Sequence, residues 1–386
     1  MNILIQLSHP AHFHLYKNVA RNLMANGHQV YIIIKTKDIL EDLLKEAGLP
    51  YYNILRVAHR KSRVGILWDM LVRDWKIFWF CTSHHIDLLT GSTPEVAHVS
   101  WLLRCRSVNT GEDDAAVVPA FSKIAGPFIQ CVLSPISCNS GSMEKKAVHY
   151  PGYHEFAYLH PNHFTPSRMV VEEYGIEVDK PYFVLRFASL NAHHDSGIKG
   201  INAEVAQRLV DILSPHGRIY ITSERPLEPQ FEQYRIKINP LDMHHVMAFA
   251  SLYIGDSQTM AAEAGVLGVP FVRFNDFVGR IGYLRELEDV YELGYGIHAT
   301  PLAPDSPIRR ADGSKQPSGV KTLYERVEQL VSMSADELTA TYQSRRQKML
   351  SDKIDCAKFL TWFIENYPAS AEETRRVDDK FWEQFK

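Results

Sequence analysis

The stretch Gly255-Asp-Ser-Gln-Thr-Met-Ala-Ala-Glu-Ala-Gly-Val-Leu-Gly-Val-Pro270 concentrates more usable chemistry than any other part of the chain. It reads as a strand end, a tight polar turn, a short helix, a glycine stop and a second strand. Ser257, Gln258 and Thr259 fall where the first N–H groups of the helix lack intrahelical acceptors and the macrodipole is positive, which suits a phosphate or diphosphate beside Asp256. Glu263 shares the helix face of Thr259. A carboxylate there can accept from both hydroxyls of a ribose while the helix start holds the phosphates. Ala261, Ala262, Ala264 and Gly265 let the helix approach a sheet closely, and Gly268 permits a left-handed stop. The same residues suit an ordinary capped helix with Glu263 in solvent, so both readings stand on physical grounds.

Other groups with chemical potential sit at further strand ends. The turn Ser8-His-Pro-Ala-His-Phe-His14 brings His9, His12 and His14 together without an acidic or cysteine ligand nearby, which argues against a metal site. In a parallel sheet such a turn lies at the carboxyl end of the first strand, where ligands bind. An imidazole there can act as general base, because its ordinary pKa lies near neutrality. A helix cap or a packed side chain is the competing role. Arg186 ends the strand Tyr182 to Phe187 and can neutralise a diphosphate, with His193 and His194 following in a polar loop that could touch a sugar or simply face solvent. Arg273, with Asn275 and Asp276, and Thr222 to Arg225 occupy two more strand ends. The acidic turn Asn109-Thr-Gly-Glu112-Asp113-Asp114 offers an acid or base, or a solvated turn.

These groups need a scaffold, and strand and helix signals alternate from the start. An apolar run over Asn2 to Leu7, helical spacing over Phe13 to Met24, Gly27 and the β-rich run from Gln29 make a βαβ unit. A helix over Asp38 to Ala47 follows, then apolar runs at His85 to Leu89, Arg106 to Asn109 and Ile129 to Leu133, as in a parallel sheet covered by helices. Residues 150–166 turn proline- and aromatic-rich. A second series of strands and helices then runs to a Pro- and Gly-rich loop over Thr300 to Gly319, with helical patterns from Val320 to Tyr367. The expected division is therefore 1–160 as an N-terminal Rossmann-like α/β domain, 161–350 as a C-terminal one of the same kind, and 351–386 as a helical segment crossing back to the first. A length of 386 residues fits two cores.

The net charge of -3 gives no footprint for nucleic acid. Five scattered cysteines and an amino terminus without a signal-peptide pattern point to a reducing, cytoplasmic setting. Residues Val64 to Cys81 carry Trp68, Trp75 and Trp79 but too many charges for a span. Such a helix either packs on a sheet or rests on a membrane surface, which leaves peripheral association at the inner face open.

The segment from Asp256 resembles the donor-nucleotide motif of the GT-B superfamily, above all that of the non-hydrolysing UDP-N-acetylglucosamine 2-epimerases. Their Asp-Ser-Gly-Gly-x-x-Glu-Glu-Ala-x-x-Leu-Gly-x-Pro pattern is matched at Asp256, Ser257, Glu263, Ala264, Leu267, Gly268 and Pro270, with Gln258 and Thr259 in place of the glycines and Ala262 in place of the first glutamate. The chain as a whole also resembles the group called domain of unknown function 354. The resemblance implies an α/β GT-B fold, two Rossmann-like doubly wound domains facing each other across a cleft. It further implies a nucleotide-sugar substrate, a UDP-sugar first among them, with no resident cofactor or metal. Glu263 would hold the ribose, and Ser257 with the Gln258 and Thr259 backbone the diphosphate. Many inverting GT-B glycosyltransferases place a histidine sixteen residues before the Gly-His or Gly-Trp that ends the first helix, and His12 stands sixteen residues before His28. Glu112 or Asp113 falls where the epimerases carry an acidic catalytic residue, although their surrounding Glu-Ala-Gly-Leu-Arg-Thr pattern is missing here.

The chain lacks G-x-G-x-x-G after the first strand, a phosphate-binding G-x-x-x-x-G-K-[ST] loop, H-E-x-x-H and G-x-S-x-G, so hydride transfer, ATP hydrolysis and serine hydrolysis lose weight. Three functions stay in view. The first is a glycosyltransferase of surface polysaccharide or glycoconjugate synthesis, with His12 as base and a glycan or lipid-linked acceptor. The second is an epimerase-like isomerase, and the third a nucleotide-sugar-binding protein without turnover.

Overall fold

The computed structural model describes residues 1–35, 39–54, 62–188 and 199–386. Packing divides the chain into two compact units, Met1–His163 with Lys353–Lys386, and Phe164–Asp352.

The first unit runs β1 (Asn2–Leu7), α1 (Pro10–Ala25), β2 (Gln29–Ile34), α2 (Leu40–Glu46), α3 (Arg63–Ser83), β3 (Leu88–Gly91), α4 (Pro94–Leu103), β4 (Arg106–Thr110), α5 (Pro119–Ala125), β5 (Val132–Pro135), β6 (Ala147–Tyr150) and α6 (Phe156–Leu159). Its six strands lie in the order β2-β1-β3-β4-β5-β6, all parallel. Because crossovers between parallel strands are right-handed, the reversal at β1 sends successive helices to opposite faces of the sheet. On one face Ile77, Phe80 and Cys81 of α3 and Val96 and Val99 of α4 bury against Leu4, Ile33 and Leu89.

The second unit contains α7 (Arg168–Glu173), β7 (Tyr182–Phe187), α8 (Ala203–Leu213), β8 (Arg218–Ser223), α9 (Met243–Ala248), β9 (Leu252–Gly255), α10 (Gln258–Leu267), β10 (Phe271–Phe274), α11 (Gly282–Asp289), β11 (Gly294–Ile297), α12 (Val320–Val331) and α13 (Ala335–Asp352). Five parallel strands lie in the order β11-β10-β9-β7-β8. Read from β7, this is the same doubly wound order with the reversal between β7 and β9. Between Ile297 and Val320 the chain forms no regular helix or strand.

The last helices, α14 (Cys356–Glu365) and α15 (Ala369–Thr374), belong to the first unit. Asp355 caps α14 by accepting from the Lys358 N–H at 3.0 Å, and it also accepts from His163 Nε2 at 2.7 Å. Hydrogen bonds to His163, Lys358 and Asn162 outweigh burial and hold its carboxyl below the usual range. His28 pairs with Glu365 of α14 at 3.0 Å, while its Nδ1 lies 3.2 Å from the N-terminal amine.

Several boundaries differ from the sequence expectation for local reasons. The strand expected from His85 begins at Leu88, because His85 adopts a φ of 50° in the turn after α3. The one expected from Ile129 begins at Val132, since the Ile129 N–H still bonds the Ala125 carbonyl at the end of α5. Strands β6 and β11 are four residues each and no apolar run announces them. The second helix is described from Leu40, with Asp38 outside the described residues.

Candidate functional site

In doubly wound sheets the crevice where strand order reverses, at the carboxyl ends of the strands, takes the ligand. In the second unit that place lies between β7 and β9. Arg186 stands opposite Gly255 in the register of these strands, so the arginine neighbours the turn that starts α10. A Cβ at Gly255 would meet the Tyr253 hydroxyl and the Arg186 carbonyl, which explains glycine at the strand end. Ser257 caps α10 by accepting from the Met260 N–H at 3.4 Å, and Gly268 closes the helix at a φ of 76°. A Cβ at Gly265 would come within 2.9 Å of the Phe271 ring, so the small residue lets α10 sit close to β10.

The Arg186 guanidinium donates through NH2 to Glu224 at 2.6 Å, while its buried Nε has no hydrogen-bond partner among the described residues. The buried hydroxyl of Tyr253 likewise has no partner among the described residues, and burial raises its pKa well above the ordinary phenol value. Two unmet polar groups at one switch point are what a polar ligand would satisfy.

The other expected residues take different places. Asp256 is buried, and its carboxylate accepts from the backbone N–H groups of Ala188 at 2.6 Å and Ile201 at 3.2 Å. Burial pushes its pKa up to about 6, and those two amides oppose the rise. It therefore ties the end of β7 to the approach of α8. Gln258 turns its amide oxygen inward to Arg273 at 2.9 Å and Asn275 at 3.1 Å. Arg273, expected at a ligand, is fully buried, with Nε and NH2 spent on Glu288 at 3.0 and 2.8 Å. Its placement is that of a positioning residue, which orients Gln258. Thr259 is half-buried in the first turn of α10. Glu263 is buried, and its carboxylate lies 2.9 Å from His244 Nε2 on α9, so a ribose would have to share that carboxylate. His193 and His194 lie outside the described residues.

In the first unit the reversal falls between β1 and β3. His9 caps α1, its Nδ1 accepting from the Ala11 N–H at 3.2 Å. His12 is half-buried in the first turn, its Nδ1 3.4 Å from the Ser8 N–H nitrogen and 3.5 Å from Ser8 Oγ. These contacts are long, so neither fixes the tautomer. His14 is buried, with its ring 5.1 Å from that of Tyr158. Across the switch, Tyr16 Oη meets Thr90 at 2.8 Å and Thr110 at 3.1 Å, and burial raises its pKa to about 12.

Beyond β4, Glu112 joins a second cluster. Its carboxylate accepts from the His154 N–H at 2.6 Å and lies 3.3 Å from His154 Nδ1. The Glu155 carboxyl is its acidic neighbour. Burial, then the neighbouring Glu155 charge, raises the Glu112 pKa well above the ordinary carboxyl range. Burial drives the His154 pKa down to about 3. Asp113 points to an exposed position. In the sequence His154 and Glu155 sit within an aromatic connection, where only the adjacency of two titratable residues marks them. His244 carries no mark beyond its place on a short helix. Among the described residues no group of three or more His, Cys, Asp or Glu side chains is placed to hold a metal ion.

Solved structures with the same architecture span almost the whole chain. The UDP-GlcNAc 2-epimerase from Neisseria meningitidis bound to UDP-GlcNAc matches with a TM-score of 0.60 at 12% identity, covering 95% of this chain and 100% of the other. A spinosyn rhamnosyltransferase complexed with thymidine diphosphate matches with a TM-score of 0.59 at 14% identity, covering 95% and 100%. The fold is GT-B. A spinosyn forosaminyltransferase shares the GT-B architecture as well, with a TM-score of 0.59, 13% identity and coverage of 97% and 100%. No family model matches the chain and no curated protein does either, so the narrower resemblance to domain of unknown function 354 is not confirmed.

Proposed function

We propose that the chain is a nucleotide-sugar-dependent glycosyltransferase. The observation that carries this reading is the β7/β9 switch point of the second unit. There Arg186, whose Nε has no hydrogen-bond partner among the described residues, stands opposite Gly255, two residues before the Ser257 cap of α10. A cation and a helix amino terminus together suit a diphosphate, and both would stabilise the charge that grows on it as it leaves. In the reaction an acceptor hydroxyl oxygen bonds to the anomeric carbon. The bond from that carbon to the diphosphate oxygen breaks, and the nucleoside diphosphate departs with the electron pair. His12 takes the acceptor proton. For that step one ring nitrogen must be unprotonated, as in the neutral imidazole. A UDP-sugar donor and a glycan or lipid-linked acceptor in surface polysaccharide synthesis complete the reading, and the likeness to glycosyltransferase structures supports its fold.

One observation favours a second reading, epimerase-like isomerisation. Glu112 is half-buried beside the buried Glu155, and two neighbouring carboxyls sharing a proton keep one group protonated while the other is ionised. Elimination and re-addition of a nucleotide need an acid and a base of that kind.

Incubation with UDP-, GDP- and CMP-sugars, with and without acceptor extract, separates the readings. Free nucleoside diphosphate formed only with acceptor supports transfer, and a changed sugar without acceptor supports isomerisation. Tight binding with neither product leaves a binding protein. Full turnover by His12→Ala would remove the proposed base, and unchanged nucleotide affinity in Arg186→Ala would remove the diphosphate site.

A further inference from the structure

Helix α3 breaks the usual partition of a surface helix. One side packs into the core of the first unit through Ile77, Phe80 and Cys81. The opposite side exposes Val64, Leu67, Trp68, Leu71, Trp75 and Trp79, with the three tryptophans 55%, 61% and 52% exposed. At about 100° per residue these six positions fall within an arc of roughly 120°. A contiguous row of this kind is unlike the scattered apolar residues of ordinary surfaces. Trp75 and Trp79 pack edge to face at 5.5 Å, so the row has its own internal order.

The charges of α3 are distributed to one effect. Both acids turn inward: Asp69 is buried, and Asp74 is buried against His98 at 3.0 Å. The exposed row therefore carries no carboxylate. Arg73 is spent on Glu95 at 2.6 Å. In the sequence, Arg56, Arg60 and Lys61, which lie outside the described residues, and Arg63 precede the exposed row with no acid between them. An apolar, tryptophan-rich face preceded in sequence by a basic run complements a surface with an apolar interior and negative headgroups. No described helix is long and apolar enough to cross a membrane, so the contact would be superficial.

We propose that α3 docks this chain on an anionic lipid bilayer, lying in the plane of the interface with Trp68, Trp75 and Trp79 at headgroup level. The inference is independent of which reaction the chain catalyses. Basic residues supply the attraction to anionic lipid, which salt screens, and the apolar row supplies the part that salt leaves in place.

The full chain is mixed with phosphatidylcholine vesicles, with and without phosphatidylglycerol, and binding is read by co-sedimentation and by tryptophan quenching with brominated lipid. Binding to the anionic vesicles, weakened by salt, with quenching on contact, is expected. The triple variant Trp68→Ala, Trp75→Ala, Trp79→Ala should bind about tenfold or more weakly. Its far-UV spectrum and thermal unfolding should match those of the parent, because the three side chains lie outside the core. Met169→Ala, which removes an exposed apolar side chain from the second unit, should leave binding unchanged. Failure to bind anionic vesicles overturns the proposal, as does binding that the triple variant retains. Concentration-dependent self-association lost in the triple variant also overturns it, since a second copy would then cover the row.

Discussion

His154→Gln offers a quantitative test of the Glu112 cluster. The His154 ring is half-buried in the first unit, and loss of solvent around it lowers its pKa from the ordinary 6.5 to about 3. Below pH 6.5 the unfolded chain takes up a proton that the folded chain refuses, so stability rises with pH across this window and falls as the medium is acidified. At about 1.4 kcal/mol per pH unit, the full gap is worth roughly 4–5 kcal/mol, and acidification to pH 5 alone costs about 2 kcal/mol. Glutamine keeps a polar head of similar reach but cannot protonate. The loss in unfolding free energy between pH 7.5 and pH 5 should therefore be about 2 kcal/mol smaller in the variant than in the parent. Urea unfolding followed by tryptophan fluorescence is the suitable assay. All six tryptophans, at 68, 75, 79, 101, 362 and 382, lie in the first unit, so the signal reports that unit alone. The difference between the two proteins is the informative quantity, because Glu112 contributes with the opposite sign. Its raised pKa means the folded state keeps a proton that the unfolded state loses, so that contribution is present in acid and disappears as pH rises through the folded value. Equal acid sensitivity of parent and variant would refute the desolvated, neutral imidazole.

Three further outcomes follow from the geometry of the second unit. Arg273→Ala leaves Glu288 buried without its partner and should cost about 3–5 kcal/mol, read as a lowered calorimetric transition of that unit, whereas an unchanged transition would mean the pair is dispensable. Ser257→Ala removes the cap of α10 and should cost about 1 kcal/mol in the same transition. A nucleoside diphosphate should also bind it more weakly by isothermal titration, and equal affinity would separate the cap from the ligand. Gly255→Ala drives a methyl against the Tyr253 hydroxyl and the β7 backbone, so it should disturb the switch point and lower both stability and nucleotide binding.

Much of the frame was legible in the sequence. Alternating apolar runs and helical spacings announced two parallel α/β units, and Ser257, the small residues of α10 and Gly268 announced a capped helix stopped against a strand. These features are local, since hydrogen bonding and periodicity within a few residues decide them. The short strands β6 and β11 escaped notice because four residues with no apolar run leave too little pattern to read.

What tertiary structure decided was the company each polar group keeps. Glu263 could be placed on the face of Thr259 from spacing alone, but only packing of α10 on α9 brings it to His244. Arg273 looked available at a strand end, yet the approach of α11 buries it against Glu288. Glu112 and Glu155 are distant in sequence and meet only through the fold of the first unit. Spacing likewise leaves open whether α3 packs on a sheet or rests on a membrane surface, and only the fold shows that Ile77, Phe80 and Cys81 are covered. The sequence by itself determines the elements and their local ends, because those free energies act over a turn or a strand. The tertiary structure decides which polar groups are buried, paired or left unmet, because desolvation and charge pairing depend on neighbours supplied from elsewhere in the chain.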